Sequence, residues 1–357
     1  MEKTGLNKHF QAEGKCTETN SLQPKRPVKS MVFLRLAVLA VVFTAIGIYL
    51  YLNWEKFSDV FTSVSATKIT LIFFVDFLYY IVSAIIMTSV LLPYSIQLGK
   101  IESFEISMAT RFGNLLIPMR GGAVARAVYL NKRYQFSPGM FVASLSGMLL
   151  TSIFTGLLCV GAGLVFIGIR DDIWFSKPLL LVAFGLIGLL VLAMIRIRIK
   201  KSHNKILTFV GTLAEGWVKF ASHRSCLIRL VLCYSALIIL QSSIYAIILN
   251  TGSVSVHWSY IVVLVALGNV SLAFQITPGN AGVYEGLLAG ISSLMGLDYQ
   301  AVLAAGLTWR AIDAVFVFIV GGLASRQLTM RCNSFLQSKK ECNNINEIDE
   351  PAAETQS

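Results

Sequence analysis

Long apolar runs alternate along this chain with short polar breaks, and each run is about the length that one helix needs to cross a hydrocarbon layer. Val32 to Leu52 is the first. It ends in the bulky Tyr49-Leu50-Tyr51-Leu52, with no small-residue cleavage pattern after it, so it reads as an uncleaved span running outward. Ile69 to Leu92 returns, carrying Asp76 and Tyr79-Tyr80, and Pro93 closes it. Gly139 to Ile169 goes out and ends at Arg170-Asp171-Asp172, Leu179 to Ile195 comes back, Leu230 to Asn250 goes out, and Gln300 to Ala324 returns. Between two of these, Lys205 to Arg229 sets Leu207, Val210, Leu213, Trp217 and Phe220 near helical spacing, the pattern of a helix lying along the interface.

Two places depart from this rhythm. Phe104 to Ile117 and Gly121 to Arg133 are each too short and too polar to span, and Pro118 separates them. Tyr260 to Ile276 and Ala281 to Met295 are separated by Pro278-Gly279, a break that ends one helix and forces a new start near Asn280 or Ala281. Both breaks place a glycine four residues after the proline (Gly122, Gly282) and an ionisable residue on the next turn, Arg126 in the first copy and Glu285 in the second. Gly282, Gly286 and Gly290 recur every four residues, a stripe of bare backbone against which another helix can approach closely.

The predicted fold class is therefore an all-α polytopic membrane protein with an inverted-topology repeat and two broken or re-entrant helix pairs, the first entered from inside and the second from outside. Two ordinary short crossings would leave the chain on the same side as a re-entrant pair, so both readings of each break stay open. The expected divisions are a disordered basic tail over residues 1–31, a membrane body over 32–325 with repeats at about 32–169 and 178–325, and a disordered tail over 326–357.

Composition agrees with the pattern: of 357 residues 55% are hydrophobic and only 14% charged, against about a quarter charged in soluble domains. Every polar stretch is too short for a separate catalytic domain. The net charge of +11 gathers in the front tail, around Arg196 to Lys205 and after Arg326, which puts both termini in the cytoplasm of a multi-pass cell-membrane protein. Those clusters flank apolar spans without interleaved aromatics, so anionic lipid rather than nucleic acid is the partner they suit. The cysteines form no CxxC pair, and no histidine stands at metal-ligand spacing, so no metal or other cofactor is expected.

Ionisable residues at membrane depth cost about 2.5–3.5 kcal/mol each, so each needs a partner or a task. Arg126 lies one turn into a helix opening at Gly121-Gly122, where free N–H groups already favour an anion, and with Arg111 and Arg120 it suits a phosphate. For Arg120, Lys132 and Arg133, snorkelling to the interface is the plainer role. Glu285 at the matching helix start suits the dipole, a cationic group or a transferable proton. Arg310 and Asp313, three apart, read equally as a local ion pair or as substrate contacts. Asp76 reaches water or a neighbouring arginine. Asn114, Asn269 and Asn280 serve either the backbone groups freed at the breaks or a ligand.

RFGNLLIPMRGGAVARAVYL, TPGNAGVYEGLLAG and LTWRAIDAVF resemble the flippase-like transmembrane family found at the N-terminus of lysylphosphatidylglycerol synthases and as stand-alone inner-membrane proteins. The resemblance runs from about Leu34 to Ala324. It implies movement of an aminoacylated or glycosylated lipid, with motif positions at Pro118, Gly122 and Arg126 and at Pro278, Gly279, Gly282 and Glu285. Asn280 departs from the glycine frequent there. No aminoacyltransferase domain accompanies these residues, so a stand-alone member is expected. The sequence thus supports a transporter of anionic, aminoacylated or glycosylated lipid; a membrane-embedded transferase using Glu285, Asp313 or Asp76 as base; or a partner subunit of a lipid-modifying synthase.

Overall fold

The computed structural model describes residues 64–117, 120–172, 176–194, 215–250, 256–269, 280 and 282–348, and among them the regular structure is helical, with no strand. In chain order the helices are α1 (Ala66–Leu91), α2 (Lys100–Leu116), α3 (Gly121–Tyr134), α4 (Pro138–Asp171), α5 (Ser176–Met194), α6 (Arg224–Leu249), α7 (Trp258–Gly268), α8 (Val283–Leu294), α9 (Tyr299–Phe316) and α10 (Gly322–Ile348). A π-helical turn, Val317–Gly321, joins α9 to α10 without a break. The expected first span, Val32 to Leu52, and the breaks at Pro118 and Pro278-Gly279 lie outside the described residues.

Four stretches among these residues are long and apolar enough to cross a membrane: Ala66–Tyr94, Pro138–Asp171, Arg224–Leu249 and Tyr299–Ser334. The chain is a polytopic all-α membrane protein, and α1 shows why. Leu71, Phe74, Phe77, Ile81 and Ile85, spaced three or four apart, are exposed, while Asp76 and Tyr80 on the opposite face are buried. Water would penalise that stripe; lipid hydrocarbon accepts it, and the polar groups turn inward to find partners.

The bundle is built around α1, which packs on α6, α2 and α9, while α7 lies against α4, α6 and α8. Ile72 and Val75 of α1, Ile244 and Ile248 of α6, Val263 to Ala266 of α7 and Leu288 of α8 share the largest buried cluster. A second cluster joins Leu91, Ile106, Leu130 and Phe141 to Leu328 of α10.

Several boundaries differ from those expected. α6 begins at Arg224, not Leu230, after a break at His223, where the backbone leaves the helical region (φ −91°, ψ 80°). Before that break, helical residues 215–222 do not skim the surface: Phe220 is 1% exposed and packs with Ile86, Val90 and Leu230, and Tyr94 donates to the Gly216 carbonyl at 3.1 Å. α7 closes at Gly268, before Ile276, with Asn269 as its C-cap. The helix of the last crossing continues past Ala324: α10 runs to Ile348, and Arg331 on it pairs with buried Glu105 of α2 at 3.2 Å. The glycine stripe is also not a packing face among the described residues: Gly286 and Gly290 are exposed, and a Cβ on either would meet none of them within 4 Å.

Candidate functional site

The tightest backbone approach is where α2 meets α3. A Cβ on Gly113 would sit 2.7 Å from the Gly122 Cα, and one on Gly122 would overlap the Thr110 carbonyl, so only glycine lets these helices close this far. The Gly122 N–H, free at the start of α3, donates to Asn114 Oδ1 at 3.0 Å. Asn114 is thus an N-terminal cap supplied by the neighbouring helix. Arg120 precedes the helix in the left-handed region (φ 59°).

That geometry aims Arg126 into the bundle. It is 8% exposed; its guanidinium reaches Met87 Sδ at 3.7 Å and lies over the Phe141 ring, 5.2 Å from the centroid. No carboxylate among the described residues pairs with it within 4 Å, although Arg111, Arg133, Arg310 and Arg331 all have one. Arg126 lines a cavity of about 220 Å³ with Tyr79, Arg111, Asn114, Arg120 and Tyr234. The same side chain borders a groove of about 440 Å³ between α2, α3 and α10, walled by Ile106, Phe112, Leu116, Val128 and Leu328. One buried cation therefore borders two spaces, a smaller cavity that it shares with Arg111, Asn114 and Arg120 and a larger groove between α2, α3 and α10.

The second helix start is organised differently. Asn280 (φ 63°) and Gly282 (φ 83°) both adopt positive φ before α8 begins at Val283. Asparagine tolerates that conformation better than most residues that carry a Cβ. Glu285 Oε2 accepts from the Gly282 N–H at 2.8 Å, the reach-back arm of a capping box, and Glu285 Oε1 pairs with Arg310 of α9. Arg310 also donates to the Asn280 carbonyl at 3.2 Å and lies over the Tyr284 ring at 5.4 Å. The charge at this helix start is neutralised within the protein.

A third polar set joins α1 to α9. Tyr80 donates to Asp313 Oδ1, Arg111 of α2 donates to Asp313 Oδ2 at 2.9 Å, and Trp309 donates to Asp76 Oδ1 at 3.2 Å. Of the two readings of Arg310 and Asp313, the local ion pair does not form: three residues apart on α9, they diverge to Glu285 and Arg111. Nor does Asp76 reach water or an arginine, being 1% exposed and bonded to Trp309. Arg133, expected at the interface, pairs with buried Glu102 at 3.3 Å.

Of the residues singled out by sequence, the structure gathers Arg111, Asn114, Gly121, Gly122 and Arg126 at the α2–α3 junction and Gly282, Glu285 and Arg310 at the α8–α9 junction, with Asp313 linking α9 to α2. Asn269 caps α7, and Pro118, Pro278 and Gly279 lie outside the described residues. Sequence reasoning passed over Tyr234 and Trp309, and over Gln241, which donates to the Tyr284 hydroxyl at 2.8 Å. Gln241, a lone amide in an apolar run, was the available signal.

A family model described as the lysylphosphatidylglycerol synthase TM region matches residues 32–321. No curated protein matches the chain. The match takes in every site residue above and ties this membrane protein to lipid handling.

Proposed function

The chain belongs to the lysylphosphatidylglycerol synthase transmembrane family, and from that membership we propose that it is a flippase-like transporter of lipid headgroups. The observation that carries this reading is Arg126: a buried guanidinium with no carboxylate partner among the described residues, on the wall between a small cavity lined in part by Arg111, Asn114 and Arg120 and a larger groove between α2, α3 and α10. Leaving a cation so placed is costly unless an anion visits it. A lipid phosphate meets the requirement, with its headgroup in the smaller cavity and an acyl chain along the groove. At about 220 Å³ the cavity is smaller than the roughly 300–1,000 Å³ of sites that enclose a whole drug-sized ligand, which suits a headgroup whose tails stay outside.

In this reading α2–α3 and α7–α8 are the broken pairs of an inverted repeat, with both termini cytoplasmic. Arg111, Asn114, Gly121, Gly122 and Arg126, with Pro118, form the anion-facing half. Asn269, Pro278, Gly279, Gly282, Glu285 and Arg310 form the opposing half, and Asp313 braces Arg111 between them. A cationic headgroup reaches Glu285 only by displacing Arg310.

The test is headgroup translocation in proteoliposomes with fluorescent anionic, zwitterionic and aminoacylated lipids. Wild type moves a lipid carrying phosphate, and Arg126→Ala folds but does not. No movement of any of these lipids by well-folded wild type contradicts the proposal.

A further inference from the structure

Three sets of buried charges meet inside the bundle, and their sum is informative. Arg310 and Glu285 cancel, and Arg111 and Asp313 cancel. Arg126 is left as a cation without a carboxylate among the described residues, and Asp76 as a carboxyl group without a cation bonded to it. Asp313 has both oxygens engaged by donors, Tyr80 and Arg111. Asp76 has one oxygen engaged by Trp309, while its buried Oδ2 has no hydrogen-bond partner among the described residues. A buried carboxyl oxygen without a donor can take up a proton without giving up a hydrogen bond.

Asp76 and Arg126 are linked through α1. Met87, which touches the Arg126 guanidinium, lies three turns along α1 from Asp76, about 16 Å at a rise of about 1.5 Å per residue. The charged groups acting on Asp76 are Asp313 of α9 and Arg111 of α2, and Tyr79 and Tyr80 stand beside it on α1. From α6 and α8, Tyr245 and Tyr284 pack against the Trp309 ring that serves it.

We propose that Asp76 is a proton-binding site whose occupancy is coupled to an anion at Arg126, so that the two bind together. With the cavity vacant, ionised Asp76 offsets the Arg126 charge across the bundle. When an anion neutralises Arg126, that offset becomes an excess negative charge in a dry environment, and Asp76 Oδ2 takes one proton. One anion and one proton enter per cycle, so the net charge of the interior is unchanged. Linkage makes the effect reciprocal, so acid tightens anion binding. The coupling rests on the transport reading above; the proton site does not.

The test has two parts on the full chain in lipid. Infrared difference spectra across a pH titration show the carbonyl band of a protonated buried carboxyl growing in as pH falls, and Asp76→Asn lacks it. Absence of the band, or its survival in Asp76→Asn, overturns the proton site whether or not any anion binds. Affinity for a short-chain phosphatidylglycerol rises by up to about tenfold per unit fall in pH in wild type, the limit for one coupled proton, and is flat in Asp76→Asn, which is permanently neutral. Wild-type binding that is flat with pH, or that follows sodium instead, overturns the coupling. Asp76→Glu, which keeps the titrating group, retains the pH dependence and separates loss of the proton from loss of the fold.

Discussion

The starts of α3 and α8 occupy matching places after the two breaks, yet they handle charge in opposite ways. At α3 the cap comes from another helix, through Asn114, and the ionisable residue, Arg126, meets a thioether and an aromatic face and no carboxylate among the described residues. At α8 the ionisable residue is itself the cap: Glu285 reaches back to the Gly282 N–H and is neutralised by Arg310. Positions that match in sequence need not match in electrostatics. One start is neutralised within the protein; the other, in the function proposed above, is completed by a lipid anion.

The largest expected effect that separates them is the removal of each arginine. Arg310→Met leaves Glu285 as a buried uncompensated charge and lowers stability by about 3–5 kcal/mol, measured by unfolding in detergent without added lipid. Arg126→Met removes a buried cation that has no carboxylate to abandon, so stability holds or rises while headgroup movement is lost. If both variants destabilise equally, the contrast between the two starts fails.

Glycines sharpen the same comparison at smaller scale. Gly122→Ala pushes a methyl group into the Thr110 carbonyl and costs about 1–3 kcal/mol, with α2 and α3 forced apart. Gly286→Ala meets open space and raises stability by about 0.5–1 kcal/mol through helix propensity. The cap itself falls between the two: Asn114→Ala strands the Gly122 N–H and costs about 0.5–2 kcal/mol by the same unfolding measurement.

The spans were legible in sequence because lipid imposes length and apolarity on each helix, and the ends of α1, α4 and α5 fall within a few residues of the expected ones. The extension of α10 to Ile348 was not legible, since its polar sequence gives no apolar signal and part of what holds it is Arg331 reaching Glu105, a contact distant in the chain. For the site, motif spacing pointed to Arg126 and Glu285 but could not assign partners. The i to i+3 spacing of Arg310 and Asp313 suggested a local pair, whereas α2 and α8 each offer a more distant countercharge. The glycine stripe failed for the same reason: spacing places residues on one face, and only packing decides what that face meets.

The most direct measurement of the central claim is binding of a short-chain anionic phospholipid to the full chain in uncharged detergent, comparing wild type, Arg126→Met and the double variant Glu285→Gln/Arg310→Met. A charge-assisted contact of about 1.5–3 kcal/mol predicts at least about tenfold weaker binding for Arg126→Met and wild-type affinity for the double variant. Wild-type affinity in Arg126→Met, or loss only in the double variant, would move the anion to the other helix start and contradict the account.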